Sequence, residues 1–496
     1  MNTSLTLPHP FLQQAHQALL DLSPHATLVG GAVRDMLLQR PVHDLDYVIR
    51  GDALVVGRKL ADNLGAAYYP LDESRKIARI VWPQANENLV IDIASLIGLT
   101  LEEDIRRRDF TINAIAMRAD GSIYDLLGGV QDLEQKILRP CSSDSLYNDP
   151  VRTLRAVRFM YTFGLKSAPG LEQLMWYAAS RLHLVSPERL RDELLKIMAL
   201  PQPHLALEQL TDWRIADEIL PELVALQEIA QPWPHAYDAY RHSLNVLGWM
   251  SRLDRWLGGE DLPGDDAGAL IQQHLQPYRA DLRAYVQAAL SAAQPRWVWV
   301  RFAALTHDWG KARSFREDET GKIHFYGHEE LSAEMVTDWM QRYHCAKSEI
   351  NFVRQLCRQH MRVMGVFINE QEPSRRAIFR FYRDLGDTAP AAILLFLADF
   401  LGARDPQLDL DELERALMHM ATFLQPFAQR DEKPPVPAPL LNGNDIIACF
   451  DTMPGPIIGK LLRALQEAQA AGEVEDRDQA IGYLENLLNS PTFTTS

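Results

Sequence analysis

The sequence predicts an α+β head followed by a long all-α remainder, and three observations carry that expectation. Between about residues 25 and 140, β-like runs (ATLVGG, LDYVIR, IARIVW, LVIDIA) are mixed with helical ones such as ALVVGRKLADNLG. This is the pattern of a mixed sheet with helices. From NDPVRTLRAVRFMYTFG onward, apolar residues recur at helical spacing almost to the end. Two stretches interrupt that spacing: WLGGEDLPGDDAGAL (256–270), Gly-rich and acidic, reads as an exposed insertion, and QRDEKPPVPAPLLNG (429–443) reads as a linker. The prolines of the second stretch deny helix hydrogen bonds and favour extended chain.

A chain of 496 residues is too long for one core. The breaks divide it into a head (1–140), a neck (141–205), a helical body (206–428) and a helical tail (441–496). The net charge of −16 argues against wholesale coating of a nucleic-acid backbone. Arginine is nevertheless dense between 105 and 195, which favours a local anionic ligand. Cys141, Cys345, Cys357 and Cys449 are scattered and form no CxxC pair, as expected in a reducing compartment. The N-terminus lacks a basic, apolar leader pattern, and no uninterrupted apolar run has membrane-spanning length, so a soluble cytoplasmic protein without a membrane partner is expected.

Within the head, Leu28 to Ile49 (LVGGAVRDMLLQRPVHDLDYVI) runs from an apolar strand into Gly30 and Gly31. A short helix-like stretch with Arg34 and Asp35 follows, and then Asp44 and Asp46 alternate with Leu45 and Tyr47. Residues i and i+2 of a strand project to the same side, so the two carboxylates can grip one metal ion or an adjacent pair. Hard Mg²⁺ favours carboxylate oxygens together with phosphate oxygens. Two such ions about 3.5–4 Å apart can activate a hydroxyl and stabilise a leaving pyrophosphate. Asp92, in the apolar strand LVIDIA, can supply a third carboxylate. Gly30 and Gly31 permit close backbone approach to a triphosphate.

The segment GGAVRDMLLQRPVHDLDYV resembles the catalytic signature of class II nucleotidyltransferases of the polymerase-beta-like superfamily, the group of bacterial CCA-adding enzymes and poly(A) polymerases. RRRDFTINAIAM (106–117), YDLLGGVQDL (124–133), NDPVRTLRAVRF (148–159) and SPERLRDELLKIM (186–198) are similar to that family's later motifs, in order. The resemblance implies a polymerase-beta-like head whose catalytic carboxylates are Asp44, Asp46 and Asp92, with Mg²⁺ on Asp44 and Asp46. It further implies that Gly30, Gly31 and Arg34 belong to the nucleotide site, and that Arg107, Arg108 and Asp109 contact ribose and phosphates, with Asn113 close behind. Asp125, Gly128, Gly129 and Asp132 would form a hinge. Asp149 and Arg152 would read the Watson–Crick edge of the incoming base, since a carboxylate accepts from the exocyclic amine of cytosine or adenine while a guanidinium donates to ring acceptors. Arg155 and Arg158 would continue a basic stripe for triphosphate and RNA phosphate.

The implied activity is template-independent addition of C and/or A to the 3′ end of tRNA from CTP and ATP by two-metal catalysis. A-adding, CC-adding or poly(A) polymerase activity are alternative products, because the segment between Asp92 and Arg107 is shorter than the loop of full CCA-adding relatives. Asn148 stands where the family usually has Glu.

Downstream, HAYDAYRHSLNV, ALTHDWGKA, YGHEELSAEM, CRQHMRV and LLFLADFLGARD place His242, His307, Asp308, His328, His360 and Asp399 in helical contexts. This series resembles the HD metal-dependent phosphohydrolase domain. It implies an HD-type body whose six residues hold a transition metal, since imidazole with carboxylate suits such ions. A phosphohydrolase with an RNA-binding head is the corresponding reading from a different class. The final segment resembles the tail of longer class II enzymes, proposed to hold the tRNA elbow.

Overall fold

The computed structural model describes residues 5–490 except 85–87, 99, 263, 292–293, 369–370, 405–406, 433 and 451. The end of the expected tail (491–496), Leu99 between Asp92 and Arg107, and Pro263, Asp405 and Lys433 inside the stretches quoted above, lie outside the described residues. The chain divides into two compact units, Met1–Leu200 with Gln209–Ile219, and Pro201–Glu208 with Leu220–Ser496.

The first unit is built on a mixed sheet of β1 (Thr27–Val29), β2 (Asp44–Ile49), β3 (Ala67–Asp72), β4 (Ile77–Pro83), β5 (Asn88–Ser95), β6 (Ile115–Met117) and β7 (Ile123–Asp125). Their order is β3-β4-β5-β2-β1-β6-β7. β2 and β5 run parallel, which sets Asp46 beside Asp92, while β4 pairs antiparallel with β5 and sets Arg79 opposite Asp92. Alternation decides the faces. Leu45, Tyr47, Ile49, Ile91 and Ile93 are buried, whereas Asp44 and Asp46 point to the open side. Helices α1 (Pro10–Leu22) and α3 (Ala53–Leu64) pack together, and α3 packs against β4. The short α2 (Gly31–Leu37) links β1 to the carboxylate strand.

α4 (Leu101–Arg106) stands between β5 and β6, and after the sheet come α5 (Gly129–Glu134), α6 (Ser145–Asn148), α7 (Arg152–Phe163), α8 (Leu171–Ala179) and α9 (Pro187–Met198). Helix α7 buries Leu154, Ala156, Val157 and Phe159 and packs on α9. The Asp125 carboxylate accepts from the Gly129 and Val130 amides at 2.8 and 2.9 Å and so starts α5. A Cβ at Gly129 would stand 2.1 Å from the Thr111 carbonyl oxygen, so that approach requires glycine. Asp132 accepts from Thr111 Oγ1 at 2.7 Å and is paired with Arg139 at 3.1 Å. The four residues expected to form a hinge thus lie in a closely bonded corner.

The second unit is helical. Its central helix, Ala389–Arg404, is buried at every residue and has no polar face. The Ala239–Gly258, Arg296–Thr306 and Lys347–Phe367 helices pack against it. Among the described residues one segment, Arg375–Arg404, is long and apolar enough to cross a membrane by length and composition, although charged residues interrupt it. It is two helices separated by a turn, and its apolar window is largely buried inside the unit. The segment after the linker builds a small core of its own around Leu441, Ile446, Leu461, Leu465 and Leu484. Its Pro456–Ala471 helix docks on Arg375–Leu385, where Arg380 and Arg383 pair with Glu467.

Two expectations are corrected. The remainder is not wholly α-helical: Ile137–Leu138 pairs with Lys166–Ser167, and Arg316–Glu317 forms a hairpin with Ile323–His324. That hairpin is closed by Asp318, whose carboxylate accepts from the Thr320 and Lys322 amides at 2.9 and 3.1 Å. The stretch 256–270 is also not an exposed insertion throughout, because helix continues to Gly258 and resumes at Asp266, with Trp256, Leu257 and Leu262 buried.

Candidate active site and metal centre

The open face of the sheet gathers Asp44, Asp46 and Asp92. Gly30, at φ 79°, adopts a backbone conformation that favours glycine. A Cβ there would lie 3.3 Å from Arg108 Nη1 and 3.7 Å from Asp46 Oδ2, so the turn, the arginine and the carboxylate meet at one point. Asp46 sits low in the cleft although its surface is open to water. Lost hydration, then the Asp92 and Asp44 charges, against Arg108 and Arg79, push its carboxyl up to about 6. A carboxylate cluster that resists its own charge in this way suits a divalent cation. Asp92 is already engaged: Arg79 grips it with two hydrogen bonds of 2.9 and 2.8 Å. Arg79 was not singled out in the sequence, where it reads only as the polar member of an alternating strand.

Several residues expected to touch nucleotide have other partners. Gly31 lies against Arg34, whose nearest nitrogen would be 3.5 Å from its Cβ. Arg34 is buried, bonded twice to Asp35 and once to Asn113 Oδ1 at 2.6 Å, with its guanidinium 4.4 Å from the Phe163 ring centre. It staples α2 to α7. Asn113 in turn donates to Asp109 Oδ1 at 3.1 Å. Asp109 is buried and takes four donors, from Phe110, Asn113 and twice from Arg155. Burial opposes its ionisation, but the Arg155 guanidinium and these donors hold the carboxyl below its usual range. Its lone pairs are therefore occupied within the protein.

The expected basic stripe also turns inward. Arg158 bonds Glu193 at 2.8 Å and covers the Phe159 ring, and Arg155 reaches Glu193 at 3.5 Å. Burial favours the neutral Glu193, yet Arg158, Arg155 and Lys196 hold its carboxyl below the usual range. Three charges that sequence spacing offers to phosphate thus include two that lock α7 to α9.

What remains open is a cleft of about 420 Å³ lined by Arg108, Asp149, Arg152, Arg155 and Arg189, among others. Arg152 spends its fork on the chain path: Nη1 donates to the Arg108 carbonyl at 3.1 Å and Ser145 Oγ at 2.8 Å, and Nη2 to the Arg107 carbonyl at 3.0 Å. Ser145 and these carbonyls hold Arg152 in a chain that has Asn148 at the usual glutamate position. Asp149 is held through Oδ2 by Arg189 at 2.8 Å, with Arg152 Nε at 3.6 Å. Arg107 is exposed, and Arg108 is braced by Asp104 at 3.1 Å. Ser145 and Arg189 are further residues the sequence reading missed; Arg189 stood inside a quoted motif, and no local signal marked Ser145.

In the second unit, all six expected ligands converge and all are buried. His242 Nε2 lies 3.3 Å from Asp308 Oδ2 and 3.1 Å from Asp399 Oδ1, and His307 Nε2 lies 3.4 and 3.6 Å from the same two oxygens. On the other side of Asp308, Oδ1 lies 3.4 Å from His328 Nε2 and 3.7 Å from His360 Nε2, and those nitrogens are 3.2 Å apart. His307, His328 and His360 each present Nδ1 to a backbone carbonyl, of Ala304, Phe325 and Cys357, at 2.9, 2.8 and 2.6 Å. A carbonyl only accepts, so each Nδ1 carries a proton, which leaves Nε2 as the atom that each ring, when neutral, can offer to a metal.

Burial, then His307 and His328, push His360 down to about 3, which keeps it neutral. His242 Nε2 and His307 Nε2 are sealed from water without a well-directed hydrogen bond. Converging lone pairs on buried N and O donors fit a divalent ion. Lys311 Nζ, 2.6 Å from Asp308 Oδ2, was not anticipated from the sequence.

With the geometry in hand, comparison with known proteins is direct. The family model for the poly A polymerase head domain matches residues 26–139, that for the probable RNA and SrmB- binding site of polymerase A matches 164–226, and that for the HD domain matches 239–403. The A-adding tRNA nucleotidyltransferase of Deinococcus radiodurans is 33% identical over 93% of this chain and 95% of its own length. The CC-adding tRNA nucleotidyltransferase of Thermus thermophilus is 29% identical over 92% of each. The multifunctional CCA protein of Nitrosococcus oceani is 34% identical over 67% of this chain and 73% of its own. Among solved structures, the Thermotoga maritima CCA-adding enzyme complexed with tRNA superposes with a TM-score of 0.58 over 97% of this chain and 96% of that one, at 20% identity, and a CCA-adding enzyme complex with ATP gives 0.63 over the same shares at 20%. These likenesses carry the fold. Family matches and full-length relatives together establish the chain as a member of the tRNA nucleotidyltransferase family, an enzyme family that uses divalent metal, with a poly(A) polymerase-type head and an HD domain.

Proposed function

We propose that this protein adds C and/or A to the 3′ end of tRNA in the cytoplasm, drawing on CTP and ATP with Mg²⁺ as the ion. The observation that carries the reading is the meeting of Asp46 and Arg108 at Gly30, with Asp44 on the same strand face and the Asp149–Arg152 pair in the cleft that Arg108 also lines. Asp44 and Asp46 would hold the ions, whose charge would activate the RNA 3′ hydroxyl and offset that of the departing pyrophosphate. Arg108 stands ready for phosphate oxygens. Asp149 offers an acceptor to the exocyclic amine that C and A share in position and that U and G lack there, while Arg152 is fixed as its neighbour.

Relatives named for A addition and for CC addition span nearly the whole chain, and only five residues, Leu96–Thr100, separate β5 from α4, so partial products are the finer alternative. The test is incubation with tRNA ending before CCA, at CC, and complete, with CTP and ATP singly and together. Addition to none of them, or equal use of UTP and GTP, overturns the proposal.

A second reading concerns the HD cluster, and the buried Nε2 atoms of His242 and His307, which lack a well-directed hydrogen bond beside Asp308, favour it. We infer that these residues, with Asp399, His328 and His360, hold a transition metal and hydrolyse a phosphoester, 2′,3′-cyclic phosphate among them. Metal analysis of the purified protein beside cyclic-phosphate hydrolysis decides it. A metal-free, inert protein reduces the region to a scaffold.

A further inference from the structure

The strand register brings an arginine into the carboxylate cluster of the head. Parallel pairing of β2 with β5 sets Asp92 beside Asp46, and antiparallel pairing of β4 with β5 sets Arg79 opposite Asp92. Alternation puts them on one face, since Ala78 and Ile80 flank Arg79, Ile91 and Ile93 flank Asp92, and these four are buried on the other face. Arg79 then meets Asp92 at two points, Nε on Oδ1 at 2.9 Å and Nη2 on Oδ2 at 2.8 Å. A planar guanidinium on both carboxylate oxygens fixes the plane of the carboxylate as well as its position. The Asp92 side chain is 22% exposed, so water competes little for those oxygens. The charges of Asp44 and Asp46 also act on Arg79, which places its guanidinium inside the field of the cluster.

This grip changes what the face offers to a cation. Ionised together, Asp44, Asp46 and Asp92 would hold a hard divalent ion with no help from a ligand. Arg79 offsets one of those charges and engages both oxygens that carry it. Resting on the transferase reading above, we propose that Arg79 is a positioning residue that withholds Asp92 from metal in the nucleotide-free protein, so that divalent ions are held weakly by Asp44 and Asp46 until a nucleoside triphosphate supplies the missing oxygens. Ion and nucleotide then bind as coupled ligands, each strengthening the other by the same factor.

The experiment measures Mn²⁺, a paramagnetic stand-in for Mg²⁺, on the full-length chain by electron paramagnetic resonance, with and without α,β-methylene CTP, an analogue that cannot release pyrophosphate. Binding at the head is the part of the signal that Asp44→Ala removes, which sets aside ions held by the histidine cluster. Wild type is expected to bind Mn²⁺ at the head more weakly alone than with the analogue. Arg79→Met keeps an unbranched stem and removes the charge. Without nucleotide it is expected to bind Mn²⁺ roughly tenfold or more tightly than wild type, because one positive charge beside a divalent ion is gone, and to gain correspondingly less from the analogue. Arg79→Lys, which keeps the charge, is expected to stay near wild type. Adding Asp92→Asn to Arg79→Met should return the affinity to the wild-type range, since the tightening acts through Asp92.

Mn²⁺ affinity unchanged or weakened in Arg79→Met, or a tightening that survives Asp92→Asn, overturns the proposal. If Arg79→Met does not fold, the wild type decides alone: a head affinity for Mn²⁺ that the analogue leaves unchanged overturns it. The transferase reading fails separately, through absence of nucleotide addition to tRNA by a wild type whose Mn²⁺ binding follows the expected pattern.

Discussion

At Asp46 a single side chain ties metal, pH and stability together. Its carboxyl is raised from 3.8 to about 6, so between those values the folded chain binds a proton that the unfolded chain releases. Its contribution is therefore favourable at low pH and is lost as pH rises through about 6. In chelator-treated protein, Asp46→Asn should raise Tm relative to wild type at pH 7 and not at pH 4, read by thermal unfolding at both values. The same variant, and Asp44→Ala, should abolish nucleotide addition while tRNA binding by gel shift stays near wild type; near-normal turnover in either removes both residues from the site. For base choice, Asp149→Ala should relax discrimination against UTP and GTP by about 1–3 kcal/mol, the worth of one bidentate base contact, measured as kcat/KM ratios. Asp44 and Asp46 were legible in the sequence because strand alternation alone puts them on one side. The partners of Asp109 and Arg34 were not legible, because a charged residue in sequence shows its own charge and not its partner: four donors surround Asp109 and a buried asparagine meets Arg34.

Between elements, the pairing of α7 with α9 depends on Glu193. Removing it leaves Arg158 buried without its carboxylate, a loss of about 3–5 kcal/mol for one partner of a buried pair. Glu193→Ala should lower Tm by several degrees, and Glu193→Gln should recover part of it, by calorimetry at neutral pH. Since its carboxyl is held below the usual range, the stability it supplies is present at neutral pH and fades as pH falls through its folded value. The helical spacing of Arg152, Arg155 and Arg158 was readable, and so was the amphipathic face that buries Leu154 and Val157. Which side of the stripe met acid was not, because Glu193 is 35 residues beyond Arg158 and only the fold brings them together. Small strands such as Ile137–Leu138 escaped notice for a related reason: two residues carry no periodicity.

For the whole molecule, the two candidate sites fall in separate units. The head carboxylates fall in Met1–Leu200 and the histidine cluster in Leu220–Ser496. Asp308→Ala should remove transition metal and phosphoester hydrolysis while sparing CTP and ATP addition, and Asp46→Ala should do the reverse, with metal content by mass spectrometry as the common readout. An Asp308→Ala protein that lost nucleotide addition while remaining folded would overturn this independence. The order His242, His307–Asp308, His328, His360, Asp399 made the second centre legible before any coordinates, since ligand types in series suggest convergence. Lys311 did not stand out, because a lysine carries no ligand signature, and its meaning comes from the Asp308 carboxylate beside it.

The grip on Arg152 has a consequence for how this site tolerates change. Two of its hydrogen bonds end on the main-chain carbonyls of Arg107 and Arg108, groups that every residue possesses. Substitution at either position can change the side chain offered there and leave Arg152 aimed as before. Adding or deleting one residue between Arg108 and Ser145 has the opposite character, since it shifts the carbonyls against the serine that completes the cradle. The aim of Arg152 is thus recorded in the path of the chain more than in the identity of its side chains, so drift in sequence is forgiven there while a shift of that path is not.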